Sequence, residues 1–260
     1  MKISLMTHRG AVRQDNQDAV LVSGAIRTGD MSFPELLEAE GFPLLLAVVD
    51  GMGGYRGGAL AARILAESLA GGAEEKNTFG AGFDAEADGR ALRGLLENAA
   101  ARMRAEARDN PELAVMGATT AGVLLREKNA LAFNCGDCRI YRLSGGELER
   151  LSYEHSIVEA LYEKGEIDEE GMRSHPKKNI VTSAVSASMA DGFDLYTKGL
   201  SRCDSDSFFL CSDGVWETFS SRHLTHCLNR PFPGAARELF DALLAEKCRD
   251  NVSFVWGPCS

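Results

Sequence analysis

Basic residues are scarce in this chain. Its 28 lysines and arginines face 38 aspartates and glutamates, a formal net charge of −10. A diffuse acidic balance leaves no basic face to neutralise a phosphate backbone, which argues against a nucleic-acid partner. Long apolar runs are lacking as well. The most prominent, at 44–49, is far too short to span a bilayer. Residues 1–5 begin no extended apolar segment of the kind a secretion signal carries. The expected setting is cytoplasmic, with no membrane partner. The cysteines number seven, and an odd count without a leader reads as reduced thiols rather than a disulfide framework. Cys135-Gly-Asp-Cys138 is a C-x-x-C pair with no second pair to complete a zinc site. His8, His175, His223 and His226 show no ligand spacing with one another.

What is present is an ordinary globular composition, 45% apolar and 25% charged over 260 residues. That supports one sizeable core, and neither an internal repeat nor a low-complexity linker divides the chain, so residues 1–260 are expected to form a single domain. Short apolar stretches bounded by Gly, Asp or Ser read as strands at 3–6, 19–22, 44–49, 121–125, 130–134, 140–143, 193–196, 208–211 and 252–256. Residues 58–69 and 85–108 carry helical periodicity, with shorter helical patterns at 157–164 and 235–247. Residues 71–82 and 166–179 read as loops. Strands and helices come in runs rather than in regular alternation, which predicts a layered α+β domain instead of a doubly wound sheet.

Several apolar runs end on, or start beside, an aspartate. Asp50-Gly51 closes one strand, Asp213-Gly214 another, Asp137 follows a third, and Asp250-Asn251 precedes the last. A carboxylate at the tip of a rigid strand is fixed in place yet can face a cleft, and a neighbouring glycine lets backbone approach a ligand. Hard cations such as Mg²⁺ and Mn²⁺ take oxygen ligands of this kind. Asp-Gly is also common turn chemistry, so one such step alone means little; four together point to a convergent acidic site.

The same residues resemble a known family, the metal-dependent protein phosphatases of type 2C. Gly10-Ala-Val-Arg13-Gln-Asp-Asn16-Gln17-Asp18-Ala19 is similar to its opening motif. Asp50-Gly51-Met52-Gly53-Gly54, Met116-Gly117-Ala-Thr119-Thr120 and Asn134-Cys-Gly136-Asp137-Cys138-Arg139 resemble its next blocks. Glu154-His155-Ser156, Ser212-Asp213-Gly214 and Asp250-Asn251 complete the set in the family's order. The resemblance spans nearly the whole chain. It implies a four-layer αββα sandwich with two central antiparallel sheets, and hydrolysis of phosphoserine and phosphothreonine esters by a cation-activated water. It further implies that Asp50 bridges two cations, Mn²⁺ or Mg²⁺, and that the Gly51 carbonyl binds one. Asp213 and Asp250 would complete the other shell. Asp18 would hold a coordinated water, Arg13 would grip the substrate phosphate, and Asp137 would help bind a third, weaker ion. The implied partners are phosphorylated proteins, the substrates of a serine/threonine kinase.

That chemistry suits a phosphate dianion, whose own charge repels an attacking hydroxide and whose uncatalysed hydrolysis is very slow. Cations lower the pKa of a bound water and offset charge at the transition state; the planar fork of an arginine can bind two phosphate oxygens at once. A cysteine nucleophile is not set up, since neither Cys135, Cys203 nor Cys211 is followed by five residues and an arginine. His155 reads as a structural histidine capping the helix that follows, and Met52 as a packing residue where eukaryotic relatives carry a histidine. The departures are Gln17 where the family has Glu, which keeps an oxygen ligand but loses its charge, Glu154 for Asp, and an off-pattern stretch at 183–191. Gln17 supports an alternative, a phosphatase-like binding module with little turnover. A third, more remote reading is a phosphatase acting on a small phosphorylated metabolite.

Overall fold

A computed structural model describes residues 1–54, 56–75, 78–188 and 192–258. Two antiparallel sheets lie at its centre. The first contains β1 (Lys2–His8), β4 (Glu35–Glu38), β8 (Arg139–Ser144), β9 (Glu147–Arg150), β12 (Ser207–Cys211) and β13 (Val252–Pro258), in the order β4-β1-β13-β12-β8-β9. The second contains β2 (Asp18–Val22), β3 (Ala25–Thr28), β5 (Leu44–Met52), β6 (Gly117–Leu125), β7 (Asn129–Cys135) and β11 (Tyr196–Ser201), in the order β11-β7-β6-β5-β2-β3. A two-residue strand, β10 (Val185–Ser186), pairs with the start of β6.

Side-chain parity explains why the sheets stack. Successive residues of a strand point to opposite faces. In β5, Leu44, Leu46 and Val48 enter the layer between the sheets, where they join Ile3 and Leu5 of β1 and Phe208 and Leu210 of β12. Their alternates Leu45, Ala47 and Val49 face outward into a second apolar layer with α1 (Gly57–Glu74) and α2 (Ala85–Asp109). On the other sheet Phe209 and Cys211 face α6 (Ser221–Leu228) and α7 (Gly234–Ala245), packing near Leu224, Leu239 and Phe240. The result is the four-layer αββα sandwich. Strands covered on both faces read as unbroken apolar runs, which is why these were legible in the sequence.

Local chemistry sets several element ends. Asp84 caps α2, its Oδ1 accepting from the backbone N–H groups of Glu86 and Ala87 at 3.0 Å each. Ser156 caps α3 (Ile157–Glu163) by accepting from Glu159 N–H at 3.1 Å. Gly122 in β6 lies where a Cβ would stand 2.2 Å from Phe133 Cζ, so the ring fills the space that a side chain would need.

Three expectations need correction. The strand expected at 193–196 begins only at Tyr196, because this edge strand alternates half-buried and exposed positions and includes Lys198 and Gly199. The first helix runs on through Gly71 and Gly72 to Glu74; Gly72 is buried, with Leu95 of α2 lying where its side chain would be. The segment 166–179 is not all loop, since α4 (Glu169–Ser174) forms within it, capped by Asp168. No helix among the described residues is long and apolar enough to cross a membrane.

Candidate active site

One end of the sandwich gathers the acidic residues of both sheets. In the second sheet, register places Asp18, the first residue of β2, directly across from Asp50 near the end of β5, and Asp50 across from Thr119 of β6. Asp137 follows β7 through Gly136. In the first sheet, Asp213 stands two residues beyond β12 and opens the one-turn helix α5 (Asp213–Trp216), while Asp250 stands two residues before β13. The loop between β1 and β2 carries Arg13. A cleft of about 410 Å³ opens here, lined by Arg13, Asp50, Gly51, Asp137, Asp213 and Asp250. Gln17, Thr119, Asn179, Val181 and Asn251 also line it.

Asp18 is placed differently from the other candidates. It lies behind Asp50 and is 2% exposed. Burial pushes its carboxyl up to about 7, only partly offset by the nearby hydroxyls of Ser253 and Ser212. Those hydroxyls donate elsewhere, Ser253 to Thr7 Oγ1 at 2.8 Å and Ser212 to the Asn251 carbonyl at 3.4 Å. Both Asp18 oxygens are thus left without a hydrogen-bond partner. Asp50 and Asp213 retain some surface because they form the cleft wall, yet both are deeply recessed. Loss of solvent first, then the charges of their acidic neighbours, raise both well above the ordinary carboxylate range. For Asp137 burial first, then Glu154, raises the group to about 7.

Arg13 and Asp250 hold each other. Arg13 Nε donates to Asp250 Oδ1 at 2.9 Å and Nη2 to Oδ2 at 2.5 Å, a two-pronged pair. Arg13 is thereby placed at the cleft but engaged by a carboxylate. Asn251 braces the loop behind it: its Oδ1 accepts from Gln17 N–H at 2.8 Å, and its Nδ2 donates to the carbonyls of Asp15 at 2.9 Å and Arg9 at 3.2 Å. Gln17 Nε2 reaches the Gly54 carbonyl at 3.3 Å. Gly51 has no room for a side chain, since a Cβ would stand 2.1 Å from the Gly58 carbonyl of α1, so only glycine lets β5 approach the helix here.

The donor set suits a hard cation. Carboxylates surround the cleft, and among the described residues neither a histidine nor a cysteine lines it. Cys138 lies nearby but is buried, and its thiol is pushed well above its usual range, so it stays protonated. The two unpartnered oxygens of Asp18 are a further opening for a coordinated species. Among the described residues no three acidic, imidazole or thiol groups stand together so as to hold a metal ion; the acids ring the cleft instead.

Several contributors carried no clear sequence signal. Asn179 and Val181 come from the segment after α4. His155 does not cap α3, a task that falls to Ser156; its Nδ1 instead accepts from Gly136 N–H at 3.0 Å, steadying the Asp137 turn. Lys178 forms an ion pair with Glu217, one turn beyond Asp213. Of the off-pattern stretch 183–191, residues 189–191 lie outside the described residues.

Comparison with known proteins agrees with this geometry. The sequence profile of protein phosphatase 2C matches residues 29–253. The serine/threonine phosphatase stp of Listeria monocytogenes is 27% identical over 215 residues, 83% of this chain and 78% of that protein. PstP of Mycobacterium tuberculosis is 27% identical over 256 residues, 98% of this chain but 44% of that longer protein. The crystal structure of the M. tuberculosis phosphatase PstP/Ppp superposes with a TM-score of 0.80 at 25% identity, covering 98% of this chain and 96% of that one. PppA, a regulatory component of the type VI secretion system in Pseudomonas aeruginosa, superposes with a TM-score of 0.76 at 29% identity, covering 98% and 95%. With the profile matched over most of its length and the acidic ends of both sheets meeting at one cleft, the chain belongs to the protein phosphatase 2C family.

Proposed function

We propose that residues 1–260 act as one catalytic domain, a cytoplasmic protein phosphatase that hydrolyses phosphoserine and phosphothreonine with the help of two divalent cations, Mn²⁺ or Mg²⁺. The observation that carries this reading is the convergence of Asp50, Asp137, Asp213 and Asp250 on one cleft, backed by the unpartnered oxygens of Asp18. Family membership supports the reaction class, and a structure of PstP with two manganese ions, 24% identical to this chain, shares the fold.

In this reading Asp50 and the Gly51 carbonyl would hold one cation, Asp50, Asp213 and Asp250 the other, and Asp137 with Asp213 a third, weaker one. When bound, the cations supply a water of lowered pKa and positive charge opposite the phosphoryl oxygens. Asp18 would hold a water through its spare oxygens. Arg13 releases Asp250 and turns its fork to the substrate phosphate. Asn251 keeps the Arg13 loop in place by holding Gln17 and Asp15. Since no histidine lines the cleft among the described residues, the leaving serine or threonine oxygen takes its proton from solvent. The substrates are proteins phosphorylated by a serine/threonine kinase.

The test is phosphate release from a phosphothreonine peptide and from p-nitrophenyl phosphate, with Mn²⁺ and with excess chelator. Release that needs the metal supports the reading. Saturable peptide binding without release would instead make the chain a phosphopeptide-binding module.

Gln17→Glu adds a separate expectation. The new carboxylate restores a charge at the cleft wall beside Gly51, and Mn²⁺ affinity measured by calorimetry should rise roughly tenfold, within the range that outer-shell changes produce. Unchanged affinity would remove Gln17 from any role in cation binding.

A further inference from the structure

Arg139 is buried to 1% exposure, the first residue of β8 and only two beyond Asp137. Its guanidinium lies over the indole of Trp216, 3.8 Å from the ring centroid. Trp216 belongs to the single turn that Asp213 opens, and its Nε1–H donates to the Asp137 carbonyl at 3.0 Å. Each nitrogen of the same guanidinium has a partner. Nε pairs with Glu154, Nη1 donates to the Tyr141 hydroxyl at 3.2 Å and lies 3.9 Å from Glu169, and Nη2 approaches Met172 Sδ at 3.9 Å. Glu154 also accepts from Arg150 at 3.1 Å, and Arg150 grips Glu159 of α3 at 2.6 and 2.8 Å.

We propose that Arg139 is a positioning residue for the phosphatase reaction: through Trp216 it sets the separation of Asp137 and Asp213, the two carboxylates that would share the weaker cation. This rests on the function proposed above. A planar, delocalised cation can stack its face on an indole while its edge binds a carboxylate, and a lysine ammonium cannot do both. Stacking fixes the indole; the indole N–H fixes the Asp137 carbonyl; the helical turn fixes Asp213 relative to the indole. Asp137 is otherwise held by the turn at Gly136, whose φ is +103° and whose N–H donates to His155 Nδ1. The edge contacts tie the same hub to α4, through Glu169 and Met172, so the segment that delivers Asn179 to the cleft is referenced to the same point.

A purely structural arginine would affect stability alone, so the test reads cation binding as well. Arg139→Lys keeps the charge and loses the stack. Trp216→Phe keeps a ring beneath the guanidinium, deletes the N–H to Asp137 and trims the buried ring. In calorimetric titration with Mn²⁺, both variants should weaken the loosest class of bound ion about tenfold, in the range of outer-shell substitutions, and leave the tighter ions within twofold. With the phosphothreonine peptide at fixed Mn²⁺, kcat should fall about tenfold with KM little changed, and extra Mn²⁺ should restore much of it. In the metal-free wild type the Trp216 indole proton should exchange slowly with solvent, and quickly in Arg139→Lys. Folded variants with wild-type Mn²⁺ affinity and kcat overturn the inference while leaving the function standing. Should Arg139→Lys fail to fold, Trp216→Phe decides. A wild type that neither binds Mn²⁺ nor releases phosphate sinks both the function and this inference.

Discussion

Asp50→Asn should give a well-folded protein whose kcat on a phosphothreonine peptide is roughly 10³-fold below wild type, and which melts higher than wild type in chelator. The two effects have one cause. Asp50 is recessed, and Asp18, Asp213, Asp137 and Asp250 all raise its carboxyl by repulsion after burial has done so. Without cations the folded state carries that repulsion, and the unfolded chain relieves it. Asparagine keeps the shape and removes the charge, which should stabilise the metal-free fold by about 1–2 kcal/mol, as replacements of strained functional residues often do. For a domain of this size that raises Tm by roughly 3–6 °C. The same change removes the only carboxylate expected to bridge both cations, so activity should not recover at high Mn²⁺. A variant that melts lower than wild type in chelator would mean that Asp50 is held by favourable contacts instead. Retained kcat would take it out of the reaction. Asp213→Asn, raised by burial and by the charges of Asp137 and Asp250, should behave likewise on a smaller scale.

These acids were legible in the sequence because they sit at the ends of strands with no solvent face. Val48 and Val49 of β5 point into two different apolar layers, so the run leading to Asp50 is unbroken and its end is sharp. The same holds for Phe208 to Cys211 before Asp213. The strands at the sheet margins offer no such edge. β11 alternates half-buried and exposed residues through Tyr196-Thr-Lys-Gly-Leu-Ser, and β4 and β9 are four-residue pieces rich in glutamate, so apolar content did not mark them. Helix α4 was missed because its first turn is acidic and only Met172 is buried. Within the site, spacing could supply the cast but not its pairings. That Asp18 sits behind Asp50 follows from the register of β2 on β5. The Arg13–Asp250 pair joins positions 237 apart in the chain, and β1 beside β13 brings them together. The Arg139 hub was invisible for a related reason: its partners come from β8, α5 and the segment around α4, and only the folded layers stack them.

The metal-free protein should be most stable near pH 4–5 and lose stability steadily toward pH 7, levelling off above it. Asp18 and Asp137 each titrate near 7 in the folded state, against 3.8 for an ordinary aspartate. Below about pH 4 both groups are protonated folded or unfolded and contribute no difference. Between about pH 4 and 7 the unfolded chain releases these protons while the folded state retains them. The folded state then binds more protons, so raising the pH favours unfolding. One aspartate shifted by about three pKa units corresponds to about 4 kcal/mol across that window. Because the acids interact, their protons leave in shared steps and the individual contributions do not add. Acids with the opposite shift set the lower limit: Arg27 hydrogen-bonds Glu35 and holds its carboxyl below the usual range, so stability drops again once pH falls through that value. Melting curves in chelator at pH 5, 6, 7 and 8 give the measurement, and saturating Mn²⁺ should flatten the descent, since a bound cation takes the place of the retained protons. A melting temperature that stays level from pH 5 to 8 in chelator would show that the buried carboxyls are not strained, and with that the physical reason for a cation to bind among them would be gone.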